Sequence, residues 1–431
     1  MRDEEGRLKT CLHQFDYPLF LFVLATTAFG LVVLAGGARD VPGMAEKVSA
    51  QTMWWKVSIA VFLAALVIPY RWLLVFSWPL YLLSVALLLM LILADRHSPG
   101  FISAVKAGGA ASWLKLTVGA RSWQFQPSEF AKIAFVIVLA QWLAWRREHL
   151  ANLRECIVPF IIMAVPVAII FRQPDLGTAA VFLPLPFILL FAAGIRWRVV
   201  IVSVLAGMLV LVGAVVYLTH AERVPGLKEY HVKRIRVFLK PIVSPFQPPG
   251  VESILYGEPL AGQPPEPEAN TPKGKKQRDY EWQIQQAEMA LGSGRVFGKG
   301  WGQGTQTRYG FLPEYWTDFI FSSLGEQFGL MGCLSLLLFY LLILWRVVHI
   351  SVVTADPFGK YLVLGLVSIV MIHVFMNIGM TVRLLPIAGV PLPLVSYGGS
   401  FLATNYLIFG LIANAGMRRV KLERYGSFAQ S

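Results

Sequence analysis

Four polar clusters stand at the edges of long apolar runs, where an ionisable side chain is costly and needs a partner or a purpose. The richest is Phe311-Leu312-Pro313-Glu314-Tyr315-Trp316-Thr317-Asp318-Phe319-Ile320-Phe321-Ser322, which enters an apolar segment and continues to Glu326. Asp318, Ser322 and Glu326 recur every four residues, so a helix would gather them into one stripe about 12 Å long. An N-cap would account for Asp318 alone, but not for a second carboxylate two turns deeper on the same face. A carboxylate so placed can take a proton from a hydroxyl or hold a divalent cation, and both roles stay open.

The second cluster, Gln126-Pro127-Ser128-Glu129-Phe130-Ala131-Lys132, puts proline at a helix start and sets Glu129 and Lys132 three apart on one face. It reads either as an internal ion pair or as a site in which Lys132 meets an anionic head group while Glu129 holds it. In the third, Arg172-Gln173-Pro174-Asp175-Leu176-Gly177-Thr178, Asp175 either caps the next helix or joins a substrate cavity. The fourth runs from Asn377 to Arg383, then through Pro386, Gly389, Pro391 and Pro393 to Ser396-Tyr397-Gly398-Gly399-Ser400. So many helix breakers predict a broken or re-entrant segment, tolerable only where protein or a water-filled cavity satisfies its backbone. Gln285, Gln286 and the run Gly298-Lys299-Gly300-Trp301 add polar groups just before the richest cluster. The candidate substrate contacts are Lys132, Glu129, Arg172, Asp175, Gln286, Lys299, Ser322, Glu326 and Ser396.

The elements that must carry these groups are apolar. Hydrophobic residues fill 56% of 431 positions and charged residues 15%, too little polar surface for a soluble globule. The apolar blocks are long enough to cross a hydrocarbon core of about 30 Å. They predict an all-α polytopic membrane protein of about ten transmembrane helices, at 17–36, 54–69, 72–94, 129–145, 156–171, 178–195, 198–219, 319–345, 361–381 and 395–417. The first block is a permanent span, because Asp3, Glu4 and Glu5 dilute its basic flank and no small-residue cleavage site follows. Lys and Arg collect in the short loops that share a side with both termini, which places residues 1–16 and 418–431 in the cytoplasm.

Residues 220–318 then form a large extracytoplasmic loop between the seventh and eighth helices. Its first part holds the basic run His231-Val232-Lys233-Arg234-Ile235-Arg236, suited to an interfacial helix; 241–279, rich in Pro, Gly, Glu and Lys, reads as a flexible insert. The net charge of +13 is scattered over both faces rather than gathered in one stripe with aromatics, which argues against a nucleic-acid partner. Cys11, Cys156 and Cys333 suit neither a disulfide nor a metal-ligand spacing.

In these motifs the chain resembles the SEDS family (shape, elongation, division and sporulation), which includes RodA and FtsW. The carrying segments are Phe125 to Glu129 with Ala131-Lys132, Arg172 to Thr178, Gly298-Lys299-Gly300-Trp301, Thr305-Gln306, Phe311 to Glu314, Thr317 to Phe321, and Gly389 to Ser400. Leu176 and the run Val390 to Val395 lie nearer the RodA branch. Three positions depart from the family pattern: Ser112 where Arg is usual, Trp316 where His is usual, and Arg383 where Gly is common. The resemblance implies polymerisation of lipid II into glycan strands at the outer face of the bacterial inner membrane, during rod-shape elongation, with a class B penicillin-binding protein as cross-linking partner. It also implies that Asp318 stands at the position considered catalytic. A pyrophosphate leaving group calls for positive charge, for which Lys132 and then Arg172 are candidates. No cofactor is required by this reading, although a divalent cation, Mg or Mn, held by Asp318 is an alternative. Two rivals are a lipid II transporter, which would need access from both faces whereas the polar clusters gather near one, and a non-enzymatic scaffold, for which a polar stripe would be superfluous.

Overall fold

The computed structural model describes residues 14–39, 41, 43–68, 70–96, 102–107, 110–118, 121–146, 153–173, 175–195, 272–354 and 356–417. In chain order, α1 (Tyr17–Ala38), α2 (Met44–Val67), a short α3 (Tyr70–Val75) and α4 (Ser77–Arg96) lead to three strands, β1 (Ile102–Ala107), β2 (Ala110–Val118) and β3 (Arg121–Phe125). Then come α5 (Pro127–Trp145), α6 (Leu153–Arg172) and the short pair α7 (Leu176–Phe182) and α8 (Pro184–Ala192). The last described stretch holds α9 (Pro272–Ser293), the single turn α10 (Thr305–Arg308), α11 (Ile320–Val353), α12 (Pro357–Thr381) and α13 (Gly399–Met417).

Seven of these helices, α1, α2, α4, α5, α11, α12 and α13, are long and apolar enough to cross a membrane, and two shorter apolar stretches cover Ile157–Arg172 and Leu176–Ala192. The protein is therefore a helical polytopic membrane protein. The shorter stretches occupy the spans expected at 156–171 and 178–195. The latter is divided at Leu183, and Pro184 opens the second piece. The expected span 198–219, the basic run 231–236, the insert from 241 to 271 and residues 1–13 and 418–431 lie outside the described residues. Several expected boundaries shift. α11 runs to Val353 rather than 345, and the span expected at 72–94 is divided, with its longer part starting at Ser77. α9 begins at Pro272, inside the segment 241–279 that composition marks as flexible. α2 starts ten residues before the expected 54, because Met44, Gln51 and Ser58 supply a buried face that apolar run length does not register. α13 starts at Gly399 rather than 395, since residues 395–398 belong to the broken segment before it.

Helix ends follow the local sequence. Asp16 caps α1 by accepting from Leu19 N at 3.0 Å, Asp356 caps α12 by accepting from Gly359 N at 3.1 Å, and Pro127 opens α5. α5 is enclosed on all sides, with Ile133 through Leu143 almost wholly buried, whereas Leu63, Leu82, Leu341 and Val352 face outward where lipid would cover them. Several polar side chains inside the bundle are paired with backbone or side-chain partners, as a medium without water favours. Asn414 Nδ2 reaches the carbonyls of Ala65, Leu66 and Ile68 at the end of α2, and Tyr406 accepts from Trp55 Nε1 and donates to Thr27. At the same end as Asn414, Arg346 grips Asp16 at 2.6 Å.

At the opposite end the strands form an antiparallel sheet of order β1-β2-β3. Ser112 and Leu114 fall on the buried face by the two-residue period of a strand, and Leu114 packs on Leu91 and Ala94 of α4. The run-length reading assigns no element here.

α11 is broken by Gly329 (φ 65, ψ −161). Segment 295–300 lies against the break and takes over its backbone partners: Leu330 N donates to Arg295 O, Met331 N to Val296 O, Lys299 N to Glu326 O and Gly300 N to Gln327 O, at 2.9 to 3.1 Å. A Cβ on Gly329 would lie 2.4 Å from Gly298 N, and one on Gly298 would lie 2.2 Å from Gln327 O. Glycine at both positions admits this approach, and the interrupted helix keeps its backbone groups satisfied at membrane depth.

Candidate active site

Asp318 sits in a turn just ahead of α11, not on the helix itself. Glu314 O accepts from the backbone N–H of Thr317, Asp318 and Phe319, and Phe319 is the N-cap of α11. The turn is fixed from below by Tyr315, Phe319 and Leu312, which pack with Ala38, Met44, Ala287, Ala290 and Ile387. Tyr315 donates to Gly37 O at 2.9 Å, and burial pushes its phenol up to about 12, so it remains a donor across the working range.

From above, α12 and the broken segment after it hold three successive carbonyls of the turn. Tyr397 N donates to Trp316 O at 2.7 Å, Ser396 Oγ to Thr317 O at 2.6 Å, and Asn377 Nδ2 to Asp318 O at 2.9 Å. Asn377 also donates to Val390 O, and Ser396 Oγ accepts from Leu392 N. Gln51 of α2 then ties the segment down, donating to Ser396 O and accepting from Gly398 N. The helix breakers therefore fold a clamp around the Asp318 turn. The carboxylate is half-buried, beside the backbone of Gly389 (φ 65), where a Cβ would come within 3.5 Å of Oδ2.

The expected stripe of Asp318, Ser322 and Glu326 is corrected by this geometry. Asp318 precedes the helix, while Ser322 and Glu326 are wholly enclosed by protein. Both oxygens of Glu326 are taken: Lys299 Nζ at 2.7 Å, Thr305 Oγ1 at 3.1 Å and Gln306 N at 2.9 Å donate to Oε1, and Thr307 N and Oγ1 donate to Oε2. Glu326 and Lys299 thus anchor segment 299–307 on α11. Ser322 Oγ has no partner among the described residues. Ser396 acts on the Thr317 carbonyl. Gln286 lies on the buried side of α9 next to Ala287.

The second charged centre is on α5. Lys132 Nζ contacts Glu129 Oε1 at 2.7 Å and His373 Nε2 at 2.8 Å, with the lysine 1% exposed. The ion pair expected from the spacing is thus present, and α12 adds a third member. Asp175 caps α7 by accepting from Thr178 N, and its Oδ2 accepts from Ser112 Oγ at 3.0 Å and Gln126 Nε2 at 3.5 Å, drawing β2, the start of α5 and α7 together. Arg172 is exposed at the end of α6. Arg383 takes a left-handed backbone (φ 59), the conformation glycine adopts freely, and pairs with Glu288 at 2.7 Å. Lys47 lies 3.3 Å over the ring of Trp316, next to the turn. His373 and Gln51 were not singled out from sequence, although His373 is an ionisable residue inside an apolar run and so carried a signal.

One helix links the two centres: α12 touches Lys132 through His373 and the Asp318 turn through Asn377, four residues on. Among the described residues no three acidic, histidine or cysteine side chains gather as a metal site. Fold and site together define a polytopic membrane protein that presents one clamped carboxylate and one buried ammonium near the same end of its helices. A family model described as FTSW_RODA_SPOVE, cell cycle protein, matches residues 17–253 and 265–421, and the chain belongs to this family, the SEDS family. Among similar proteins, the peptidoglycan glycosyltransferase MrdB of Escherichia coli K12 is 32% identical over 415 residues, 95% of each chain. The probable peptidoglycan glycosyltransferase FtsW of Geobacter metallireducens is 30% identical over 416 residues, 94% of this chain and 96% of the relative. Of solved structures, a chain described under the structural coordination of polymerization and crosslinking by a peptidoglycan synthase complex aligns with TM-score 0.69 at 24% identity, over 94% of this chain and 98% of that one. The rod shape determining protein RodA of Thermus thermophilus aligns with TM-score 0.60 at 23% identity, covering 94% and 97%.

Proposed function

We propose that this protein is a peptidoglycan glycosyltransferase that polymerises lipid II into glycan strands during rod-shape elongation, with Asp318 as general base. The single observation that carries the role of Asp318 is the clamp on the carbonyls of residues 316–318, which fixes the turn by its main chain and presents the carboxylate at the end of the bundle. As the acceptor hydroxyl attacks the anomeric carbon of the donor, its proton passes to Asp318. The new carbon–oxygen bond forms while the bond from that carbon to undecaprenyl pyrophosphate breaks. The departing pyrophosphate takes the electron pair, and the Lys132 ammonium meets its charge. Glu129 holds Lys132 through their ion pair, and Arg172, at the rim beside Asp175, guides the anionic head group.

The basic short loops support an orientation with both termini in the cytoplasm and Asp318 at the outer face of the inner membrane. A class B penicillin-binding protein is the partner that cross-links the strands. Should a divalent cation take part, Asp318 together with substrate oxygens would hold it, since Mg keeps several waters and needs few protein carboxylates, and it would add charge beside the pyrophosphate.

The test is strand synthesis from purified lipid II by the chain and its penicillin-binding partner, with the transpeptidase site blocked. Wild type makes strands and Asp318→Ala makes none. Strands from both would remove Asp318 from the reaction. Strands from neither, in a correctly assembled complex, would favour a transporter or scaffold.

A further inference from the structure

Lys132 is an ammonium with three N–H bonds, and among the described residues it meets two acceptors, Glu129 Oε1 and His373 Nε2. His373 Nδ1 lies 2.7 Å from Ile369 O, one turn back on α12. A carbonyl only accepts, so Nδ1 carries the ring proton and Nε2 offers a lone pair to Lys132. The ring of Phe401 packs against the imidazole at 5.5 Å and holds its plane. The tautomer and aim of His373 are thus fixed by its own helix and by α13.

We propose that His373 is a positioning residue for Lys132, a neutral acceptor that orients the ammonium so that one N–H is kept for a substrate pyrophosphate oxygen. This rests on the reading of Lys132 given above. The chemistry of the acceptor matters. A second carboxylate would cancel the charge that the leaving group needs, and a hydrocarbon would let the ammonium close fully on Glu129. A neutral imidazole directs without neutralising. Because Asn377, one turn further along α12, holds the Asp318 carbonyl, the same helix face sets the spacing between the cation and the base, about 6 Å along its axis.

Two amides of different reach separate positioning from packing. In His373→Asn the amide reaches the Ile369 carbonyl but falls short of Lys132; in His373→Gln it extends to where Nε2 stands. With the assembled wild-type complex as reference, His373→Asn should raise the KM for lipid II about tenfold, the loss of one hydrogen bond to a charged group, with kcat changing less. His373→Gln should stay within about threefold of wild type, and His373→Asn should add nothing to the loss of lipid II binding in Lys132→Met. Equal KM values for the two amides, or additive losses with Lys132→Met, would overturn the inference. If His373→Asn does not assemble, His373→Phe replaces it with the same expected rise, and an unchanged KM there overturns the inference equally. A Lys132→Met protein that binds and uses lipid II normally would instead overturn the reading of Lys132 itself.

Discussion

Two carboxylates eight residues apart are held in opposite ways. Glu326 is fixed through its side chain, whose oxygens accept five hydrogen bonds and leave no exposed surface. Asp318 is fixed through its main chain: the bonds from segment 377–397 fall on its own carbonyl and those of its two predecessors, and its carboxylate stays half-buried. A carboxylate saturated by protein donors serves the fold, because any new partner must displace an existing one. A carboxylate positioned by its backbone can be rigid and still meet a substrate, which is what pre-organised catalysis requires.

Substitutions can break or sharpen this contrast. The largest effect is expected from Asp318→Asn, which removes the proposed base and should lower strand synthesis about a thousandfold or more, with the melting temperature of the complex within a few degrees of wild type. Glu326→Gln should do the reverse. Loss of the charge buried against Lys299 and its surrounding donors should destabilise the protein by about 3 kcal/mol, read as a fall in thermal midpoint. Ser396→Ala tests the clamp: it strips partners from Thr317 O and Leu392 N, so a loss of about 2 kcal/mol should accompany a drop in kcat of about tenfold. The smallest change belongs to Glu288→Gln. Its pair with Arg383 is open to solvent, with side chains 40% and 44% exposed, and less than about 1 kcal/mol and no change in kcat should follow. A Ser396→Ala protein that loses stability but keeps its kcat would show that the clamp supports the fold without positioning Asp318.

Much of the bundle was legible because membrane helices write themselves as long apolar runs, and the start of α5 because Pro127 marks it. The Glu129–Lys132 pair and the Asp175 cap were legible too, since both are local along the chain. The stripe through Asp318 was misjudged for a definite reason: the four-residue spacing is helical, but the helix begins two residues after Asp318. The clamp could not be read at all. Ser396 lies 79 residues from Thr317, and its target is a carbonyl that every residue type possesses, so no side-chain pattern marks the pairing. The helix breakers between 386 and 399 announced irregular backbone but not what it would hold. The sheet was missed because the alternation of Ser112, Leu114 and Leu116 with Trp113, Lys115 and Thr117 in β2 sits between stronger helical signals.

The most direct measurement is strand yield per folded complex, compared for wild type, Asp318→Asn and Glu326→Gln, with the partner's transpeptidase site blocked and the folded fraction determined in the same samples. Asp318→Asn should be folded and inert, and Glu326→Gln should fold poorly yet retain its activity per folded molecule. Normal yield from Asp318→Asn, or a stable Glu326→Gln complex that makes no strands, would contradict the assignment of chemistry to the first carboxylate and architecture to the second.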